Sequence, residues 1–203
     1  MASLTKDHRE LKRLKRELLD VNQIVDEGNS QIGANMVDGN IYKWKGYIKG
    51  ADATPYENGY FVLDITLPPD YPYAPPEIKF VTKIWHPNIS SQTGAICLDI
   101  LKSEWSPALT IRTVLISIQA LLSSPEPDDP QDNEVAFMYK NDYNAFLQTA
   151  RMWVDMFAGP DNESQDAKVR KLTEMGFSPS QAYESLTTHN WNEHDAVDFL
   201  LNS

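Results

Sequence analysis

Cys97 is the only cysteine in the 203-residue chain. It lies in the one stretch whose residue types suit chemistry at a carbonyl, His86-Pro87-Asn88-Ile89-Ser90-Ser91-Gln92-Thr93-Gly94-Ala95-Ile96-Cys97-Leu98-Asp99-Ile100-Leu101. A single thiol forms no disulfide within the chain, and without neighbouring histidines it is no metal site. It can act as a nucleophile that takes up an acyl group. Attack at a carbonyl builds negative charge on oxygen, which a neutral amide donor such as Asn88 can stabilise. Ile96, Leu98 and Ile100 alternate with Cys97 and Asp99, so an extended segment would anchor its aliphatic face and leave the thiol on the other. The polar first half, with Pro87 and Gly94, predicts a surface loop, and Pro87 biases His86 toward an extended backbone. The competing reading is a buried, inert cysteine. The alternation and the adjoining Asn88 loop weigh against it but identify no substrate.

The elements that must position this stretch begin with a helix over residues 4–20, where Leu4, Leu11, Leu14 and Leu18 recur at helical spacing. Its other faces carry Lys6, Arg9, Lys12, Arg13, Lys15 and Arg16, a run that is ordinarily a solvated face. After Gly28, alternation and turn residues predict strands around Ile32 to Met36, Ile41 to Lys49, Tyr60 to Leu67 and Glu77 to Val81. No helix of useful length interrupts them, which favours an antiparallel meander over βαβ units. The prolines of 70–76 stiffen a loop that holds Tyr71 and Tyr73. Helices follow over 110–123 with Thr110 as N-cap, from Gln131 or Asp132 to Lys140, and from Asp142 to Phe157. Tyr143, Phe146, Leu147, Ala150, Val154 and Phe157 form the packed side of the last. Asp128 and Asp129 fall in the loop between helices, where paired acids before a proline are ordinary turn composition.

Ala158-Gly159-Pro160-Asp161-Asn162-Glu163-Ser164 then breaks the pattern. Three short helices fit what remains. The first runs near Asp166 to Met175 with Gly176 just past its end. The second has Ser178 as N-cap, Pro179 at its first position and Gln181 completing a capping box. The third begins after Asn192 and ends in Phe199-Leu200-Leu201. The expected organisation is α+β: a core over 1–158 with a four-stranded antiparallel meander, an N-terminal helix and C-terminal helices, a linker over 159–164, and a small all-α three-helix bundle over 165–203. So small a bundle has little interior, which makes exposed apolar residues conspicuous.

His86-Pro87-Asn88 followed by Gly94-x-x-Cys97-Leu98-Asp99-x-Leu101 resembles the active-site signature of ubiquitin-conjugating enzymes. Pro55-Tyr56-Glu57-x-Gly59, Tyr71-Pro72-x-x-Pro75-Pro76, Trp105-Ser106-Pro107-Ala108-Leu109-Thr110 and Pro127-Asp128-Asp129-Pro130 extend the resemblance over about residues 4–158. Met175-Gly176-Phe177 with the terminal Leu200-Leu201 pair resembles the ubiquitin-associated (UBA) domain, so the chain is identified as a member of the UBA-bearing type. The resemblance implies the ubiquitin-conjugating fold. It implies that Cys97 receives ubiquitin as a thioester from the activating enzyme and passes it to lysines of substrates or of ubiquitin, building polyubiquitin chains.

By the same resemblance, His86 and Pro87 shape the loop, and Asn88 stabilises the oxyanion or holds the loop that does. Asp129 stands at an acidic gate, orienting the incoming lysine and accepting its proton, while Asp99 shapes substrate approach. Lys12, Arg13 and Arg16 fall where the family docks the activating enzyme, and Tyr73, Ser106, Pro107 and Ala108 where it meets RING-type ligases. Met175, Gly176, Phe177, Leu200 and Leu201 fall where a UBA domain holds ubiquitin non-covalently, with Met175 and Leu201 as contacts and Phe177 and Leu200 partly core. ATP is consumed by the activating enzyme, so the implied set of cofactors and metals is empty.

Composition narrows the alternatives. A net charge of −11 argues against a nucleic-acid binder. The charged N-terminus offers no signal segment and no run reaches transmembrane length, so no membrane partner is expected. The absence of paired cysteines suits a reducing compartment, cytoplasm and/or nucleus. Two other readings compete. A non-catalytic ubiquitin-binding adaptor would lack the cysteine that stands here in register, and an enzyme for another ubiquitin-like modifier fits a UBA domain less well.

Overall fold

In the computed structural model, the described residues are 2–22, 32–37, 39–159, 168, 169, 171, 172, 175–177 and 179–202. They fall into two compact units, Met1–Pro160 and Asp161–Ser203. In the first, β1 (Ile32–Val37), β2 (Asn40–Lys49), β3 (Tyr60–Thr66) and β4 (Glu77–Phe80) pair antiparallel in chain order. The two-residue period turns Trp44, Gly46 and Ile48 of β2, Phe61, Leu63 and Ile65 of β3, and Ile78 and Phe80 of β4 to one buried face. The register keeps that face continuous: Trp44 lies opposite Ile65, Ile48 opposite Phe61, Leu63 opposite Phe80 and Ile65 opposite Ile78.

Helix α2 (Ile111–Ser123) packs on β1 and β2 and against α1 (Ala2–Val21). Thr110 caps α2 by accepting from the Thr113 N–H. Six aliphatic side chains of α2 are buried, Ile111, Val114, Leu115, Ile118, Leu121 and Leu122, each stabilising the fold by ~1.5–3 kcal/mol. From α1 the core receives Leu14 and Val21, with Leu18 packed at its edge. Leu11, expected on the apolar stripe, is instead exposed, because the buried face of α1 centres on Leu14, Glu17 and Val21. The Asn22 amide ties the end of α1 to β1. Its Nδ2 donates to Leu18 O (3.0 Å) and Ala34 O (2.6 Å), and its Oδ1 accepts from the Ala34 N–H (3.1 Å).

Asp132 caps α3 (Asn133–Asn141), and Asp142 both closes α3 and caps α4 (Tyr143–Phe157). Phe146, Ala150 and Val154 bury the inner side of α4. Tyr143 does not join them: it is half exposed and stacks on Phe146 while meeting the Tyr139 ring edge-on. It sits in the first turn of α4, whose buried residues Phe146, Ala150 and Val154 come later along the helix.

The second unit contains α5 (Pro179–Thr188) and α6 (Glu193–Leu201). Of the first expected helix, residues 168, 169, 171 and 172 are helical. Its remaining residues up to 174, the capping residue Ser178 and linker residues 160–164 lie outside the described residues. Leu172, Ala182, Leu186 and Ala196 form the core, with Val169, Phe177, Trp191, Val197 and Leu200 packed around it. Asn192 caps α6 by accepting from the His194 and Asp195 N–H groups. Among the described residues no helix is long and apolar enough to cross a membrane.

Candidate active site

His86, Pro87, Asn88 and Ile89 are buried, although their polarity predicted a surface loop. The reason is that their polar groups find partners inside. His86 Nε2 donates to Leu121 O at the end of α2 (3.0 Å), and its Nδ1 accepts from the Asn88 N–H (3.0 Å). That pattern assigns the neutral Nε2–H tautomer. Burial lowers the His86 pKa to about 4, because desolvation disfavours the charged ring. With both ring nitrogens committed, His86 is not a base for Cys97.

The Asn88 side chain is equally committed. Its Oδ1 accepts from the Glu126 N–H (2.8 Å), and its two amide hydrogens go to Glu126 O (2.8 Å) and Asp129 O (3.0 Å). In this conformation it holds the 126–129 loop and has no hydrogen left for an oxyanion. Its backbone carbonyl accepts from the Cys97 N–H (2.9 Å). One residue therefore joins the cysteine segment to the acidic loop. Pro87 O reinforces the joint by accepting from the Gln131 and Asp132 N–H groups, both at 2.9 Å. Asp132 Oδ2 accepts in turn from the Ser91 N–H (3.0 Å) and Oγ–H (2.7 Å). Burial pushes the Asp132 pKa up, but these bonds and those from the α3 N-terminus outweigh it and hold the carboxyl below its ordinary value.

Residues 88–97 form a narrow loop laid along the edge of β4. Ile89 bridges Ile96, and Ala95 bridges Lys79. Gly94 makes the close approach possible: its φ is +72°, and a Cβ there would lie 2.0 Å from Phe80 O. Ile96 is buried, Leu98 and Ile100 pack at the core edge, and Cys97 is half-buried. The extended run predicted for 96–100 ends sooner than expected, because Asp99–Leu101 forms a 3-10 turn.

Around Cys97 Sγ stand two charged groups. The thiol points at Asp129 Oδ2 (3.5 Å), and Lys102 Nζ donates to Sγ (3.3 Å). Asp129 and Asp99 are exposed, and the neighbouring Asp128 is paired with Lys140 (2.7 Å). A half-buried thiol that can hold an acyl group, with a carboxylate in reach to take a proton, suits transfer to an incoming amine. Lys102 was not singled out by its position in the sequence. An extended chain would carry it roughly 16 Å from Cys97, and the 3-10 turn folds it back.

The family model for ubiquitin-conjugating enzymes matches residues 13–154, and a UBA/TS-N domain model matches residues 164–200. The chain belongs to the ubiquitin-conjugating enzyme family. It is 45% identical over 195 residues to ubiquitin-conjugating enzyme E2 K of Homo sapiens, covering 95% of this chain and 98% of that one. It is 47% identical over 191 residues to ubiquitin-conjugating enzyme E2 27 of Arabidopsis thaliana, with 94% and 97% covered. A Toxoplasma gondii ubiquitin conjugating enzyme E2 domain matches with a TM-score of 0.69 and 60% identity, covering 73% of this chain and 99% of that one. The general partners of this ubiquitin-conjugating enzyme are therefore ubiquitin, an activating enzyme and ubiquitin ligases.

Of the three cations expected on one docking face of the enzyme, Lys12 and Arg16 are exposed, but Arg13 turns inward. Its Nη2 donates to Pro107 O (2.8 Å) and Leu109 O (3.0 Å), its Nε to Glu17 Oε1 (2.7 Å), and its guanidinium lies over the Tyr71 ring. Glu17, only 5% exposed, also accepts at Oε2 from Tyr71 OH (2.7 Å) and the Ile111 N–H (3.0 Å). This buried carboxylate is a hub that the sequence signalled only by placing an acid among Leu14, Leu18 and Val21. Trp105 Nε1 donates to Pro72 O (2.8 Å), so the 70–76 and 105–109 loops are held to α1 and to each other. Their outer residues are open: Tyr73 is 76% exposed, and Ser106, Pro107 and Ala108 are exposed. In the second unit, Met175, Gly176 and Leu201 are exposed while Phe177 and Leu200 pack on the core. Gly176 has φ +103°, a conformation suited to glycine.

Proposed function

We propose that Cys97 is the acyl carrier of this enzyme: it receives ubiquitin's C-terminus as a thioester and gives it up to a lysine amine. The observation that carries the reading is the half-buried Sγ beside Asp129 Oδ2, on a segment bonded through Asn88 to the loop that presents that carboxylate. Asp129 orients the amine and accepts its proton. Asn88 acts by holding the 126–129 loop, and His86 and Pro87 brace it from beneath. Asp99, exposed at the start of the 3-10 turn, borders the approach to the thiol. Lys12 and Arg16 contact the activating enzyme, and Tyr73 with Ser106, Pro107 and Ala108 meets RING-type ligases. Met175 and Leu201 contact ubiquitin non-covalently, which supports building of polyubiquitin chains.

Incubation with activating enzyme, ATP and ubiquitin tests the carrier. A ubiquitin adduct that thiol reductant removes is expected on the protein and absent from Cys97→Ala. Lack of the adduct on the unmodified protein would refute the reading, and preferential charging in a panel of other modifiers would move it to another ubiquitin-like protein.

A further inference from the structure

We propose that Phe137 is a specificity-determining residue of chain building, an apolar anchor beside the acidic loop on which the acceptor ubiquitin rests while its lysine reaches Cys97. The inference rests on the carrier and chain-building readings above. Phe137 is 70% exposed. A lone exposed apolar side chain is ordinary on a protein surface; what sets Phe137 apart is where α3 holds it. The outer face of α3 carries Asn133, Glu134, Phe137, Lys140 and Asn141, all exposed, so Phe137 is the one apolar residue of that face. Phe137 and Lys140 are three residues apart on the helix and lie side by side, with Cβ atoms about 5–6 Å from each other. Helical side chains lean toward the N-terminus, over the preceding turn. Lys140 Nζ therefore meets Asp128 Oδ1 (2.7 Å) beside Phe137. Asp128 precedes Asp129, whose Oδ2 is 3.5 Å from Cys97 Sγ. Asp129, Asp128, Lys140 and Phe137 thus lead from the thiol to the aromatic ring along one surface.

The anchor is rigid. Pro87 O accepts from the Gln131 and Asp132 N–H groups, both at 2.9 Å. Asp132 caps α3, Val135 and Ala136 are buried, and Asn141 Nδ2 donates to Phe137 O (2.8 Å). The segment that carries Asn88 therefore also sets the position of α3 relative to the thiol. A folded acceptor whose lysine amine meets Asp129 covers Asp128 with the surface around that lysine, and Phe137 is the apolar side chain next in reach. Covering the ring removes apolar area from water, and a side chain with only two rotatable bonds loses little freedom in the contact. Ubiquitin suits this anchor better than substrate proteins do. Chain building presents the same acceptor surface at every step, which a preorganised contact can match, whereas the surroundings of substrate lysines differ from protein to protein.

The experiment is single-turnover transfer from the full chain, charged with a donor ubiquitin whose lysines are all arginine. The acceptor is a ubiquitin whose blocked C-terminus keeps it from being charged. Phe137→Ala should raise the acceptor concentration for half-maximal transfer about fivefold or more. Charging, the limiting rate at saturating acceptor, and discharge onto free lysine should stay near those of the unmodified protein, because free lysine is too small to span from the thiol to α3. Phe137→Leu keeps an apolar side chain and should recover most of the affinity. Met152→Ala, which removes another exposed apolar side chain on α4, should leave transfer unchanged. An unaltered half-maximal concentration for Phe137→Ala, the same rise for Met152→Ala, or a parallel loss on free lysine would overturn the proposal. A matching rise with casein as the acceptor would give the surface to protein substrates generally and overturn the assignment to ubiquitin. If the unmodified protein forms no reducible adduct, the carrier reading fails and this inference falls with it.

Discussion

Asn88 has two amide hydrogens, and both are bound to carbonyls of the 126–129 loop. Truncation to alanine should therefore do two things at once. It should slow discharge of the charged enzyme onto free lysine by about 10- to 100-fold, as loss of positioning does, while charging is retained. It should also lower unfolding stability by ~1–3 kcal/mol, because Glu126 and Asp129 lose buried partners. An oxyanion donor alone would give the kinetic loss without the stability loss, so single-turnover discharge and denaturant unfolding together separate the roles. His86 makes a different prediction. Its folded pKa is about 4 against an ordinary 6.5, so between those values the unfolded chain binds a proton that the folded chain refuses. Stability should fall as pH drops through that window, by up to on the order of 3 kcal/mol, and the His86 contribution should be fully present above it. The difference in unfolding free energy between the wild type and His86→Gln, followed from pH 7 to pH 4, isolates this group from the other histidines.

At the scale of elements, Glu17 joins α1, the 70–76 loop and the start of α2 through one carboxylate. Glu17→Ala would strand the Tyr71 hydroxyl, the Ile111 N–H and the Arg13 cation, and should cost ~3–5 kcal/mol in denaturant unfolding. The same network separates stability from docking among the basic residues of α1. Arg13→Ala should destabilise the core, since its bonds to Pro107 O and Leu109 O are internal. The exposed pair Lys12→Glu and Arg16→Glu should change stability by no more than about 0.5 kcal/mol yet slow charging by the activating enzyme, read as the initial rate of thioester formation. Equal charging rates would remove those two cations from the docking surface.

For the molecule as a whole, the two units carry separable duties. Removing residues 160–203 should leave thioester formation near its original rate, because Cys97 and its partners all lie within Met1–Pro160. Chain elongation should weaken more, since a tethered ubiquitin-binding unit raises the local concentration of acceptor chains. Met175→Ser with Leu201→Ser is the sharper test, because both side chains are exposed and the core of that unit is formed by others. The circular dichroism of the chain should be retained while non-covalent ubiquitin binding, measured by titration, is lost. Unchanged binding would place the contact surface elsewhere.

The sequence by itself determined the order and kind of the elements, the cap Thr110, the antiparallel meander and the cysteine motif. These rest on information within a few residues: the periodicity of apolar side chains, turn chemistry and capping hydroxyls or amides. Only the tertiary structure decided that His86 and Asn88 are buried, that Arg13 faces inward and that Lys102 reaches the thiol. The first three depend on partners 35, 41 and 94 residues away, at Leu121, Asp129 and Pro107. A polar side chain whose partner is that distant looks like a surface residue to any local rule, because desolvation is offset only once the fold brings the partner in. Lys102 is the local exception, five residues from Cys97. There the alternation of Ile96, Leu98 and Ile100 pointed to a strand, and the packing of Leu98, Ile100 and Leu101 on the core made it a turn.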